Sequence, residues 1–149
     1  MKHLIFYGFL LILLVAGCGK KGMPVQPVQG VVKVDGQTVR GVSVTFHPVD
    51  AASVEKAFGG TDANGNYKLT STNGPPQGGA LVGEYKVTAS WPETEKLILL
   101  FKDPVHGDSY TPTYEEKLPK TYQNPATSGL TATVKKGKNK IDFDLTTKP

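Results

Sequence analysis

The chain has 149 residues, 38% of them hydrophobic, and its 17 basic and 13 acidic side chains give a formal net charge of +4. This length accommodates one domain of ordinary size. The basic excess is small and spread along the chain, unlike the dense charge of a nucleic-acid-binding surface, so no nucleic acid is expected as a partner. A single cysteine excludes a disulfide within the chain.

Residues 1–17 are typical of a secretory signal peptide. Lys2 and His3 precede the apolar segment LIFYGFLLILLV, which is too short for a comfortable membrane span. Small residues then lead directly to Cys18. We therefore expect residues 1–17 to be removed from the mature protein.

Cys18 ends the motif LVAGC, which resembles the lipobox of bacterial lipoproteins at every position. The resemblance implies that Cys18 carries fatty acyl chains, such as palmitate, and anchors the mature protein in a membrane. Gly19 stands where an aspartate favours inner-membrane retention in many bacteria, so the implied location is the outer membrane, facing the periplasm or the cell surface. The alternatives for Cys18 are a free thiol and an intermolecular bridge.

Residues 18–27 are expected to be a tether, because they contain two prolines and show no hydrophobic periodicity. Lys20 and Lys21 lie close to the acyl chains in this interpretation, where anionic headgroups attract lysine side chains. The folded domain is expected over residues 28–147.

Seven segments of the domain alternate apolar and polar residues, which predicts seven strands. They lie at residues 28–34, 42–47, 56–61, 66–70, 84–89, 130–134 and 141–145. Each has one apolar face, as in antiparallel sheets that pack face to face, and no sustained helical period follows the signal. We therefore predict an all-β, seven-stranded antiparallel β-sandwich. Its core is expected to contain Phe46, Tyr85, Val87, Ile141 and Phe143.

Residues 91–124 interrupt this rhythm with five aromatic residues and several prolines. We predict an irregular insertion, in which the apolar run LILLF (residues 97–101) forms a short strand or a helical turn docked on the sandwich. Two roles are open for the tryptophan and the tyrosines of this region, which either cover the sheet or stack on sugar rings. These residues are Trp91, Tyr110, Tyr114 and Tyr122. Cover is the favoured interpretation.

The segment GTDANGNYKL (residues 60–69) has two interpretations. Asp62 and Asn64 supply oxygens one residue apart, as at the start of a calcium loop, but the glycine and the acid that such a loop needs at its sixth and twelfth positions are missing. As a hairpin turn, Asp62 accepts backbone N–H bonds and Gly65 supplies the positive φ. We predict a structural turn of Asp62, Asn64 and Gly65, without a metal.

Four segments in this order carry a family resemblance: VQGVVKVDG (28–36), VRGVSVTF (39–46), TDANGNYKL (61–69) and GEYKV (83–87). Together they resemble the carboxypeptidase regulatory-like domain, a transthyretin-like (prealbumin-like) β-sandwich. The segments LPKTY (118–122), TSGL (127–130) and GKN (137–139) also resemble small bacterial lipoproteins built around one such domain. The resemblance implies a non-catalytic accessory or interaction module.

We expect no enzyme, no catalytic residues and no cofactor. His47 is predicted to be solvated at a strand end. His106 precedes Asp108 and Ser109, but the members of a catalytic triad meet in space rather than in one tetrapeptide. Some transthyretin-like proteins are hydroxyisourate hydrolases with a Tyr-Arg-Gly-Ser tail. This chain ends LTTKP, a departure that argues against that activity.

The segment KKGKNK (residues 135–140) places four lysines in six residues. It is expected to be a hairpin turn with a soluble rim, and the alternative is a contact for an anionic glycan or a lipid headgroup.

The expected function is a lipid-anchored structural or protein-interaction module of the bacterial cell envelope, whose partner is a protein or a glycan. The alternative function is a glycan-binding module. Its candidate ligand contacts are Trp91, Tyr110, Tyr114, Lys136 and Lys138.

Overall fold

The computed structural model describes residues 24–50, 55–72 and 78–148, and these residues form an all-β protein. Cys18 and most of the tether lie outside the described residues. The strands are β1 (Val28–Val34), β2 (Gln37–Thr38), β3 (Ser43–Pro48), β4 (Ala57–Gly60), β5 (Asn66–Lys68), β6 (Thr70–Ser71), β7 (Gly83–Ser90), β8 (Pro92–Phe101), β9 (Ser109–Glu116), β10 (Leu130–Val134), β11 (Asn139–Lys140) and β12 (Phe143–Leu145). One 3-10 helix, η1, covers Lys120–Gln123.

The first sheet is built around β1. Strands β2 and β5 pair with β1 in the antiparallel direction, whereas β11 and β12 pair with it in parallel. The expectation of purely antiparallel sheets is therefore wrong for the sheet around β1. Alternation reveals which side chains are buried but contains no information on strand direction, and the last strands reach β1 only after the chain has formed the other sheet.

The second sheet is fully antiparallel, in the order β10-β7-β3-β4-β6. Its register places Phe46 opposite Val87 and Tyr85 opposite Ala132. Side chains on directly opposite positions point to the same face of a sheet, so these apolar residues lie on one side.

Buried residues of both sheets form one hydrophobic cluster. The Phe46 ring lies 5.6 Å from the Tyr85 ring within its own sheet and 6.0 Å from the Phe143 ring of the first sheet. The predicted burial of Phe46, Tyr85, Val87 and Phe143 is confirmed. Ile141 is only partly buried and packs against the cluster from its margin.

Each of the seven predicted segments contains a strand, and the described residues include five further strands. Three of these, β2, β6 and β11, have two residues each and extend the sheets locally. The other two, β8 and β9, lie inside the region predicted to be irregular.

Strands β8 and β9 form an antiparallel pair, which we call the apolar ribbon. They contact each other far more than any other described element. Residues 97–101 belong to a ten-residue strand and are exposed, with Leu97 63% and Leu100 61% accessible. The prediction that this apolar run docks on the sandwich is therefore wrong, because the ribbon extends beyond the two sheets.

Candidate functional site

Glu116 fastens the base of the apolar ribbon to the second sheet. Its Oε2 accepts a hydrogen bond from the Ser90 hydroxyl at 2.6 Å. Its Oε1 accepts backbone N–H bonds from Trp91 at 2.6 Å and from Leu118 at 3.1 Å. A charged acceptor with three donors makes strong hydrogen bonds, so the position where the ribbon leaves the second sheet is well defined. No local sequence pattern reveals this role, because it depends on residues 26 positions apart in the chain.

Both broad faces of the ribbon are apolar, because neighbouring residues of a strand point to opposite faces. The register pairs Leu97 with Pro112 and Leu99 with Tyr110 on one face. Ile98 points to the other face, where it is paired with Thr111. Register shifts occur on both sides of the regular stretch, between Thr94 and Lys96 and between Leu99 and Phe101. Two strands without a second layer cannot bury either face.

The tip of the ribbon is an ordered turn built on Asp103. Its Oδ1 accepts backbone N–H bonds from Val105 at 2.8 Å and from His106 at 3.1 Å, and its Oδ2 lies 3.0 Å from His106 Nδ1. The backbone N–H bonds, Val105 first, hold the pKa of Asp103 below its usual value. His106 therefore contacts Asp103, and not Asp108 or Ser109, which were its neighbours in the triad-like tetrapeptide.

The tryptophan and the three tyrosines of the region divide into two pairs. Trp91 and Tyr122 are partly buried and pack against the core cluster. Tyr110 and Tyr114 are 52% and 63% exposed on β9. The expectation that all four cover the sheet is therefore wrong for the second pair, since the strand that carries them does not lie on the core. Tyr122 also accepts a backbone N–H bond from Thr146 at 3.4 Å.

The lysine-rich segment is a turn organised by Asn139. Its Oδ1 accepts from the Lys135 backbone N–H at 2.9 Å, and its Nδ2 donates to the carbonyls of Lys135 at 2.8 Å and Gly137 at 2.9 Å. Gly137 has a φ of 96°, which suits glycine at this position. Lys136 and Lys138 are exposed on the turn.

The candidate ligand contacts do not come together. The lysine turn follows Val134, which is paired with Gly83 at the start of β7, whereas the ribbon follows Ser90 at the end of β7. Eight residues of extended strand separate these ends by about 25 Å. Lys136 and Lys138 therefore lie far from the ribbon base, and the structure does not build one site from lysines and tyrosines.

Asp62 lies in the turn between β4 and β5. Its Oδ1 accepts backbone N–H bonds from Asn64 at 2.8 Å and Asn66 at 2.9 Å. These bonds, Asn66 first, lower the pKa of Asp62. Gly65 has a φ of 76°, and its N–H donates to the Asp62 carbonyl at 3.0 Å. A Cβ at Gly65 would stand 2.8 Å from the Val32 carbonyl oxygen, so side-chain bulk is excluded there.

A groove of about 350 Å³ lies where the outer face of β3 and β7 meets the ribbon base. Hydroxyls of Ser43, Thr45 and Ser90 line it, together with Glu116 and Gln123. Glu116 is the acid of this groove, and both of its oxygens already accept protein hydrogen bonds. A carboxylate held in this way supports the ribbon rather than serving as a free base.

His47 is half-buried on β3, and its Nε2 lies 3.0 Å from Thr88 Oγ1. Burial, followed by the charge of Lys56, lowers the pKa of His47. This histidine was expected to be solvated, and its partial burial corrects that expectation. No group of three or more His, Cys, Asp and Glu side chains is arranged to hold a metal in the part of the chain that the structure describes.

Comparisons with family models, with curated proteins and with solved structures found no match. Among residues 24–50, 55–72 and 78–148, no helix is long and apolar enough to cross a membrane. The resemblance to the carboxypeptidase regulatory-like domain and the lipobox at Cys18 thus remain predictions from the sequence.

Proposed function

We propose that this protein is a lipid-anchored, non-enzymatic interaction module of the bacterial cell envelope, with a transthyretin-like β-sandwich as its body and the apolar ribbon as its contact surface. The exposure of the ribbon is the observation that carries the proposal. Exposed apolar patches on soluble domains mark interaction surfaces, since leaving them in water is unfavourable.

A protein partner fits the charges of the ribbon best. Residues 92–116 contain six acidic side chains and two lysines, a formal charge of −4 on a chain whose total is +4. Acidic ribbons repel one another and repel anionic bilayers, which disfavours ribbon-to-ribbon dimers and insertion into lipid. The complementary occupant is a protein with an apolar cleft that covers both faces and has basic residues at its mouth.

In-cell photo-crosslinking tests this assignment with the full chain. A photoreactive amino acid at Leu97 or at Ile98 samples the two faces of the ribbon, and the same amino acid at Phe58, exposed on β4 of the body, is the control. We expect the same protein adduct from both ribbon positions and little from Phe58. Adducts of twice the chain's mass, adducts with lipid alone, or no adduct would contradict the proposal.

A charge reversal then tests the stated chemistry of the partner. Asp108→Lys at the exposed tip should reduce the adduct yield severalfold, because it removes acidic charge that the partner complements. Asp144→Lys, exposed on β12 of the body, makes the same change in net charge and should leave the yield unchanged. Equal losses in both variants would show a nonspecific effect of net charge.

The lipid anchor has a separate test. Cys18→Ser should abolish acylation and leave the precursor uncleaved, because the acyl transfer requires the thiol. Labelled fatty acid incorporated equally into the Ser variant would contradict the anchor and leave the ribbon contact unaffected.

Glycan binding is the second candidate, favoured by Tyr110 and Tyr114. These exposed rings lie on the same face of β9, four residues or about 13 Å apart, and can stack on sugars. Retention on cell-wall polysaccharide that is lost in Tyr110→Ala and Tyr114→Ala, with unchanged melting temperature, would support this candidate. Retention that survives both substitutions would eliminate it.

A further inference from the structure

The lysine turn is hydrogen-bonded to the N-terminal end of the domain. The Gly137 backbone N–H donates to Gln26 Oε1 at 2.8 Å. The Asn139 backbone N–H donates to the Pro27 carbonyl at 3.0 Å, and Asn139 Nδ2 reaches the same oxygen at 3.4 Å. Gln26 is also bridged to Ala80 just before β7. The turn and the last residues of the tether therefore form one rigid corner of the molecule.

The lysines of this corner are available to a ligand. Lys135, Lys136 and Lys138 are exposed, and within the described ranges none of the three forms a salt bridge. Lys140, by contrast, lies 3.4 Å from Asp142. Because Asn139 already satisfies the backbone of the turn, the lysine side chains have no structural role in closing it.

The lysine turn is positive, and acidic residues lie at the same end of the second sheet. Glu84, opposite Thr133 on β7, is an acidic residue that the sheet register places at this end. Asp50 follows Val49, whose N–H donates to the Glu84 carbonyl, and the charge of Glu55 acts on Tyr85, so both acids lie toward this end. The positive charge is therefore concentrated on Lys135, Lys136 and Lys138. We call these three lysines and their turn the basic end.

We propose that the basic end binds the phosphate-bearing headgroups of the bilayer to which Cys18 is attached, and so holds the apolar ribbon pointing away from that bilayer. The inference rests on the proposed lipid anchor. Each lysine beside an anionic membrane surface strengthens the attraction of the protein to that surface, and raises its partition coefficient by about fivefold. The ribbon leaves the body at the opposite end of β7, so the same contact presents it to partners farther from the membrane.

Partitioning of the acylated mature protein between two kinds of vesicle separates the anchor from the basic end. Binding to pure phosphatidylcholine vesicles measures the acyl chains. The ratio of binding to vesicles with phosphatidylglycerol over phosphatidylcholine measures the lysines. We expect a ratio well above tenfold at low salt that falls steeply as ionic strength rises.

Matched variants locate the effect. Lys136→Gln with Lys138→Gln should lower the ratio by about 25-fold, or fivefold for each lysine. Lys120→Gln with Lys148→Gln removes the same charge near η1 and the C-terminal strand, and should change the ratio less than about twofold. Equal effects of the two pairs, or a wild-type ratio near one, would overturn the proposal.

Two further results would also be decisive. Failure to bind phosphatidylcholine vesicles, together with lysine-dependent binding to vesicles that contain phosphatidylglycerol, would overturn the anchor but support the basic end. A ratio near one, together with lysine-dependent retention on an immobilised anionic glycan, would assign the turn to a glycan and overturn the membrane contact.

Discussion

The two sheets and the apolar ribbon contain the same types of apolar residue, and they differ in how much of each residue is exposed. Val44 and Phe46 of the second sheet are fully buried, whereas Leu97 and Leu100 of the ribbon are more than half exposed. The difference follows from layers rather than from composition. A strand buries a face only where another layer covers it, and the ribbon has no such layer among the described elements.

The comparison also separates stability from recognition. The core contributes to folding because its side chains leave water when the chain folds. The ribbon side chains remain in water, so they contribute little to folding and retain their hydrophobic driving force for association. The following predictions test this separation, from the largest expected effect to the smallest.

Phe143→Ala should lower the free energy of unfolding by about 3–5 kcal/mol, because it leaves a cavity beside the Phe46 and Tyr67 rings. Leu97→Ala in the ribbon should change it by less than about 0.5 kcal/mol. Chemical denaturation of both variants measures these values. Similar losses would show that the ribbon is part of the cooperative core.

Gly65→Val should destabilise the body by about 3 kcal/mol, because backbone strain at positive φ adds to the collision with Val32 and Thr38. Gly137→Val is the matched control. It has a similar φ but nothing within 4 Å of the new Cβ, so strain alone, about 1–2 kcal/mol, is expected. The same denaturation experiment would contradict the turn geometry if Gly137→Val were the more harmful change.

Glu116→Ala should loosen the ribbon base without unfolding the body, because it removes the acceptor for the Trp91 and Leu118 amides. An unsatisfied donor of this kind costs about 1–3 kcal/mol locally. Hydrogen exchange should therefore accelerate at these two amides and stay slow at Val44 and Val87. Uniform acceleration across both regions would show that ribbon and body open together.

The melting temperature should depend on pH differently through two aspartates, Asp62 in the body and Asp103 in the ribbon tip. Backbone N–H bonds lower the pKa of both. A carboxyl with a lower pKa in the folded state stabilises the fold above its unfolded pKa of 3.8, and this contribution is lost as the pH falls through the folded pKa. Asp62→Asn should therefore reduce the melting temperature most at neutral pH and least at about pH 2.

Asp103→Asn should leave the melting temperature nearly unchanged at every pH, because the tip can open while the sheets remain folded.

Calcium should leave the melting curve of the wild type unmoved. A calcium-dependent rise in melting temperature that disappears in Asp62→Ala would favour the calcium loop over the turn.

Several features of this protein were determined by the sequence alone. Alternation located all seven core segments, because a half-buried strand must place apolar residues at every second position. The residues of the Asp62 turn were identified from local chemistry, since Asp62, Asn64 and Gly65 interact within five positions of one another. The lipobox at Cys18 is likewise local, and its acylation remains a prediction.

The tertiary structure decided the features that depend on distant contacts. Alternation could not show that β11 and β12 run parallel to β1, because it is the same for both directions. The run LILLF has the composition of a buried strand, and it is exposed only because no layer covers the ribbon. The attachment of the lysine turn to Gln26 joins residues 111 positions apart, a separation that no local pattern encodes.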